Sequence, residues 1–155
     1  AAPSLENVAM SVMTQAIARL LLPASLMVAA AVLVKGYADT GDGFSAAIVA
    51  SLGVLMQYVA FGRPIAAKLM MVRHASTLAL FGLLIALLVA VFPLFIGDPV
   101  MTHYPRAGSH ARHIGSLELI TPVLFDVGVF LLVLGFAIGA IDLIAQTIER
   151  GRTWS

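Results

Sequence analysis

The sequence predicts an all-α fold, an integral membrane protein with four transmembrane helices. Three observations predict it. Of the 155 residues, 61% are hydrophobic and 11% charged, against roughly 45–50% and 25% in a soluble domain. The apolar residues fall into four runs of about 20 residues, the length a helix needs to cross a ~30 Å hydrocarbon layer. Short polar links separate the runs, so that spans at about 12–34, 44–62, 75–97 and 119–141 form one membrane domain over 1–155. The bilayer itself is therefore the first partner.

Composition also removes alternatives. A net charge of +1 gives no basic footprint for nucleic acid. The absence of cysteine removes thiolate metal sites, disulfides and thiol catalysis. No metal cluster, nucleophile–base pair or phosphate-binding loop is visible, so the chain does not read as an enzyme and calls for no cofactor or metal. The first apolar run is too long for a cleavable signal sequence, and the initial alanine suggests a trimmed start.

The first span carries Arg19, followed by Pro23. Proline cannot donate to the carbonyl four residues earlier and loosens that turn. Arg19 either snorkels to the headgroups or pairs with an acid on a neighbouring helix. The link from Lys35 to Gly43, KGYADTGDG, is a turn in which Asp42 is placed to cap the next helix. The second span has small residues Ala46, Ala50 and Gly53 along one face, which lets another helix approach. Its polar exceptions, Gln57 and Tyr58, suit a helix–helix hydrogen bond or an interface anchor.

Arg63 to His74 reads as a basic connection, because its cations spread around a helix axis and leave no clean apolar face. The third span is uncharged, with Pro93 near its end. The longest loop, Asp98 to Leu117, holds His103, His110 and His113. The spacing of the last two would suit a metal, but no thiolate accompanies them and a solvated loop is the default. The tail from Asp142 ends with Arg150, Arg152 and Trp154. Cations near span ends number five on the side of the Arg63–His74 link and C-terminus, six with Arg19, against three (Lys35, Arg106, Arg112) on the other. The positive-inside rule then places both termini in the cytoplasm.

The fourth span, from Glu118, is the informative one. Thr121-Pro122 reads as a helix start, Thr as cap and Pro as first helical residue; a start near Ser116 with a kink at Pro122 is the alternative. Asp126 falls in the outer half of the membrane. A carboxylate at the centre of a span costs roughly 2.5–3.5 kcal/mol or more, so Asp126 is paired, protonated or in contact with water. Gly128, Gly135 and Gly139 lie within ~40° on a helical wheel, with Asp126 on the opposite side. One face is therefore built for close packing while the other carries the acid, and the helix is gripped from two sides. Asp142 continues the glycine line. Candidate pairings are Lys35 with Glu118 or Asp126, and Arg19 with Asp142.

The stretch His113 to Gly135, HIGSLELITPVLFDVGVFLLVLG, closely resembles the signature of the B-type member of the multisubunit sodium/proton antiporters of the Mrp or Mnh type. In that family an ELxTPxLFDxGV segment opens the last helix. Ala18 to Gly62 is similar to the family's first two helices, with TGDGF at Thr40 to Phe44 where the family usually has PGGGF. The matching motif positions are Glu118, Thr121, Pro122, Phe125, Asp126 and Gly128. The resemblance implies a small accessory subunit of a cation/proton antiporter complex in the cell membrane. Its implied partners are large antiporter-like subunits and other small hydrophobic subunits. A purely structural subunit of a related membrane-bound hydrogenase or respiratory-type complex is the alternative. A self-contained small efflux pump is less compatible, because such pumps usually carry their lone carboxylate in the first helix.

Overall fold

A computed structural model describes residues 5–35, 41–101 and 121–152. All its elements are helices: α1 (Leu5–Lys35), α2 (Gly43–Phe61), α3 (Arg63–Ala66), α4 (Met70–Arg73), α5 (Ala75–Phe95) and α6 (Thr121–Arg152). Among the described residues, α1, α2, α5 and α6 are long and apolar enough to cross a membrane.

The four long helices stand in a row, α1–α2–α6–α5. They do not close around a common centre. Of the most apolar stretch of α2, 39% is buried, against 11% for α1 and 17% for α5. The two end helices thus turn most of their large side chains outward, where lipid tails or other apolar helices are equally good neighbours. The small residues of α2 make the central contacts: Ala46, Ala47, Ala50 and Val54 are fully buried. Against α1, Gly53 is so close that an added Cβ would run into the Ser25 hydroxyl. Gln57 Nε2 donates to the Ala18 carbonyl across the same interface, at 2.6 Å, one turn before Pro23.

On the far side, α5 and α6 run antiparallel in backbone contact. An added Cβ on Gly82 would meet the amide of Leu132 and come within 2.6 Å of the Gly128 carbonyl. One on Gly128 would stand 2.8 Å from the Ala86 amide, and one on Gly135 would collide with Ala79. Gly139 differs: its nearest neighbour would be the Ala75 methyl at 3.9 Å, an ordinary contact. The glycine face therefore lies against α5 at two positions and merely passes it at the third.

Because α6 stands between α2 and α5, the chain must cross beneath α6 to go from one to the other. Gly62, at φ 73°, ends α2 and turns it directly into α3. The crossing is not one continuous helix. It is two single turns, α3 and α4, each burying one side chain, Ala66 and Val72. The last helix also runs further than the apolar run: Asp142 opens no tail, and the helix continues to Arg152. Residues 142–150 contain no helix breaker, and Gln146 Nε2 donates to Asp142 Oδ2 one turn back at 2.7 Å. At 1.5 Å per residue, the 32 residues of α6 span ~48 Å, well beyond a ~30 Å hydrocarbon layer.

Candidate functional site

Two acids on α6 organise the polar chemistry, and both are met from the direction of α2. Asp126 is 6% exposed. Its Oδ2 accepts a hydrogen bond from the backbone N–H of Gly41 at 2.7 Å. The link before α2 can reach the acid because of its glycines. Gly41 adopts φ 120°, a conformation costly for a side-chain-bearing residue. At Gly43, a Cβ would collide with the Asp126 carbonyl oxygen. The first turn of α2 thus rests on the α6 backbone, and the carboxylate faces the positive end of the α2 dipole. It also gives the N–H of the exposed Gly41 a partner. This is the local reason for an acid in the span.

At the other end of the same two helices, Asp142 Oδ1 accepts from the Tyr58 hydroxyl at 2.9 Å and from Arg63 Nε at 3.1 Å. Arg63 Nη1 reaches on to Glu149 Oε2 at 3.4 Å. The bond to Asp142 holds the Arg63 guanidinium above its ordinary pKa, so it stays charged at any working pH. Gly43 lies at Asp126 and Tyr58 at Asp142, which shows that α2 and α6 run parallel. The acids are 16 residues apart, ~24 Å along the helix. The α2–α6 pair is therefore fastened at both ends of its apolar length.

Several expected pairings resolve differently. Arg19 does not meet Asp142: α2 lies between α1 and α6, and the nearer cation, Arg63, takes the acid. The Arg19 guanidinium instead lies over the Phe61 ring, 5.3 Å from its centre, a cation–π contact. Lys35 does not meet Asp126 either; it faces Asp42 at 3.7 Å and is 68% exposed. Asp42 occupies the N-cap position of α2 but makes no capping bond. Its backbone is helical (φ −82°, ψ −6°) rather than extended as a cap requires, so its carboxylate points toward Lys35. Gln57 and Tyr58 both make helix–helix bonds. Thr121, Pro122 and Phe125 fall in the first two turns of α6 as described, with Pro122 buried. Glu118, the three loop histidines and Trp154 lie outside the described residues, as does any helix start before Thr121. Among the described residues no group of three or more His, Asp or Glu is placed to hold a metal.

Sequence reasoning missed the partners: Arg63 for Asp142, the Gly41 N–H for Asp126, and Gly82 for Gly128. Only Gly82 left a trace, as the lone glycine inside the otherwise bulky α5.

Gly41 and Gly43 before and at the start of α2 and Asp126 of the LFDVG segment are thus one contact: the glycines supply the N–H and the close backbone, the acid its side-chain oxygen. Comparison with known proteins identifies a family. Residues 13–139 match the model of a family described as a domain related to the MnhB subunit of Na+/H+ antiporter. The chain is 32% identical over 111 residues to the B-type Na(+)/H(+) antiporter subunit of Alkalihalophilus pseudofirmus, covering 72% of this chain and 76% of that one. It is 29% identical to the B-type Na(+)/H(+) antiporter subunit of Bacillus subtilis, covering 72% and 77%. Against the probable K(+)/H(+) antiporter subunit of combined A/B type from Rhizobium meliloti it is 33% identical over 124 residues, 77% of this chain but only 12% of that much longer protein. A match of this extent, running from α1 to Gly139 of α6 and including Asp126 but not Asp142, settles the relationship: the chain belongs to the family of domains related to the MnhB subunit of Na+/H+ antiporters.

Proposed function

We propose that this chain is a small accessory subunit of a multisubunit cation/proton antiporter of the cell membrane, and that it helps shape or support the ion route without being an enzyme. The observation that carries this reading is the open row of helices. A row with two end helices turned outward encloses no route of its own and leaves both flanks available to neighbouring subunits. Its relatives are named as antiporter subunits. The Rhizobium protein, of combined A/B type, carries the matching segment as 12% of one long chain, which supports a large neighbouring subunit. Small hydrophobic subunits are the other expected neighbours. Both termini are assigned to the cytoplasm, which puts the Asp142 end inside and the Asp126 end outside. The chain has no cysteine, so single cysteines introduced beside Gly41 and Glu149 and labelled from one side test that orientation cleanly.

A second reading has its own support. The Gly41–Asp126 bond is what a purely structural subunit would use to hold its helices, in an antiporter or in a related membrane-bound hydrogenase or respiratory-type complex. Asparagine separates the two readings, because its amide oxygen keeps the bond to Gly41 and loses the charge. In vesicles holding the assembled complex, Asp126→Asn is expected to preserve assembly on a native gel and to impair sodium-dependent proton exchange. Unchanged exchange would assign Asp126 to structure alone. Mild-detergent purification is expected to recover other small hydrophobic proteins and one or two large ones; a chain recovered alone and active would overturn the subunit reading.

A further inference from the structure

Two adjoining recesses open on the flank of α2 and α6 at the Asp142 end. The first has a cavity volume of about 540 Å³ and is walled by Leu55 and Val59 of α2 and Ile141, Ile144 and Ile148 of α6. The second, about 210 Å³, is lined by Arg63, Gln146, Glu149 and Arg150. Arg63 and Glu149 line both, so an apolar slot leads outward into a charged recess. The slot alone lies within the usual ligand-pocket range of about 300–1,000 Å³.

We propose that this groove is a binding site for a zwitterionic phospholipid with a primary-amine headgroup, its acyl chain in the slot, its phosphate at Arg63 and its ammonium at Glu149. Charge complementarity at the mouth selects this occupant. Arg63 and Arg150 line it with Glu149, two cations for a phosphate and one acid for an ammonium. Asp142 is already held by Tyr58, Arg63 and Gln146. Glu149 is half exposed, and its bond from Arg63 is long, 3.4 Å. That bond is the weak member of the network and opens to admit a headgroup carrying both signs. A purely anionic headgroup would find Arg63 and Arg150 but would also face the Glu149 carboxylate. A partner helix seated in the groove would have to desolvate the Arg63–Glu149 pair, a cost that ion pairs seldom recover. A lipid headgroup at the boundary leaves that pair in contact with water. The site does not depend on which ion the assembly moves.

The test uses the full chain in vesicles of phosphatidylethanolamine and phosphatidylglycerol in equal parts, with a diazirine at the acyl terminus of one lipid at a time. After illumination, adducts are mapped by mass spectrometry. The expected result is attachment at Leu55, Val59, Ile141 or Ile144, favouring phosphatidylethanolamine by about threefold, the scale of an exposed ion pair. Ile144→Trp fills the slot from an exposed position and should remove these adducts; Glu149→Gln should abolish the headgroup preference without removing them. Equal labelling by both lipids in the parent chain would overturn the proposal, as would a preference that survives Glu149→Gln. In the assembled complex, a groove that takes no lipid adduct and is shielded by another protein chain would overturn it equally.

Discussion

The two ends of the α2–α6 pair solve the same problem by different means. At the Asp126 end the acid is met by main chain: the Gly41 N–H, with Gly43 pressed against the α6 backbone. At the Asp142 end the acid is met by side chains from three positions, Tyr58, Arg63 and Gln146. The difference follows from burial. Asp126 is 6% exposed, where a close backbone donor wastes no volume. The Asp142 side chain is 19% exposed, and Arg63 beside it 33%. There the charges are partly exposed, and flexible partners are tolerated. A main-chain clamp has no redundancy, because its geometry is lost when the backbones separate. A side-chain clamp loses one bond at a time.

The strongest way to break the comparison is therefore to wedge the Asp126 end apart. Gly43→Ala places a methyl against the Asp126 carbonyl, and neither backbone can yield without moving a helix. Overpacking of this kind costs about 3 kcal/mol at its upper range. Unfolding of the purified chain in mixed micelles should show that loss, with dissociation of assembled complexes. The matched control lies on the other face of α6: Gly139→Ala meets only a methyl at 3.9 Å and should leave the unfolding curve in place.

Next in size is removal of the acid itself. Asp126→Ala takes away the acceptor of the exposed Gly41's N–H, a hydrogen bond worth about 0.5–1.5 kcal/mol. Asp126→Asn should recover most of it, since the amide oxygen can still accept. Equal destabilisation by alanine and asparagine would show that charge at the α2 dipole, not the hydrogen bond, holds this end. Both clamps would then be electrostatic, and the contrast between them would disappear.

How much of this could be read from the sequence depends on the range of the interaction. The four spans, the glycine face of α6 and the acid opposite it follow from local composition and a 3.6-residue period, and the hydropathy of a span needs no knowledge of neighbours. The order α1–α2–α6–α5 was not readable. In a membrane the side facing lipid and the side facing protein are both apolar, so periodicity does not say which helix lies where. Without that order, Arg19 and Arg63 look like equal candidates for Asp142. Only the interposition of α2 decides between them. The partner of Asp126 was hidden for a different reason: every residue but proline carries a main-chain N–H, so a backbone donor leaves no mark in the residue types.

Arg19 provides a reference against which the side-chain end can be measured. Residues in contact give non-additive double mutants, whereas distant ones add. Arg63→Gln and Asp142→Asn should therefore couple in their effects on stability, while Arg19→Gln and Asp142→Asn should simply add. Coupling of the second pair would mean that Arg19 reaches Asp142, contrary to the place of α2 between them.

The smallest effect should come from Tyr58. Tyr58→Phe removes one of the donors to Asp142 and nothing of the ring's packing, and the acid keeps Arg63 and Gln146. Interhelical hydrogen bonds in membrane proteins average about 0.6 kcal/mol, and the same figure is expected here in mixed-micelle unfolding. A loss several times larger would show that Tyr58 is not one strand of a redundant clamp but the contact that sets the register of α2 on α6. The two ends would then be alike in depending on a single donor.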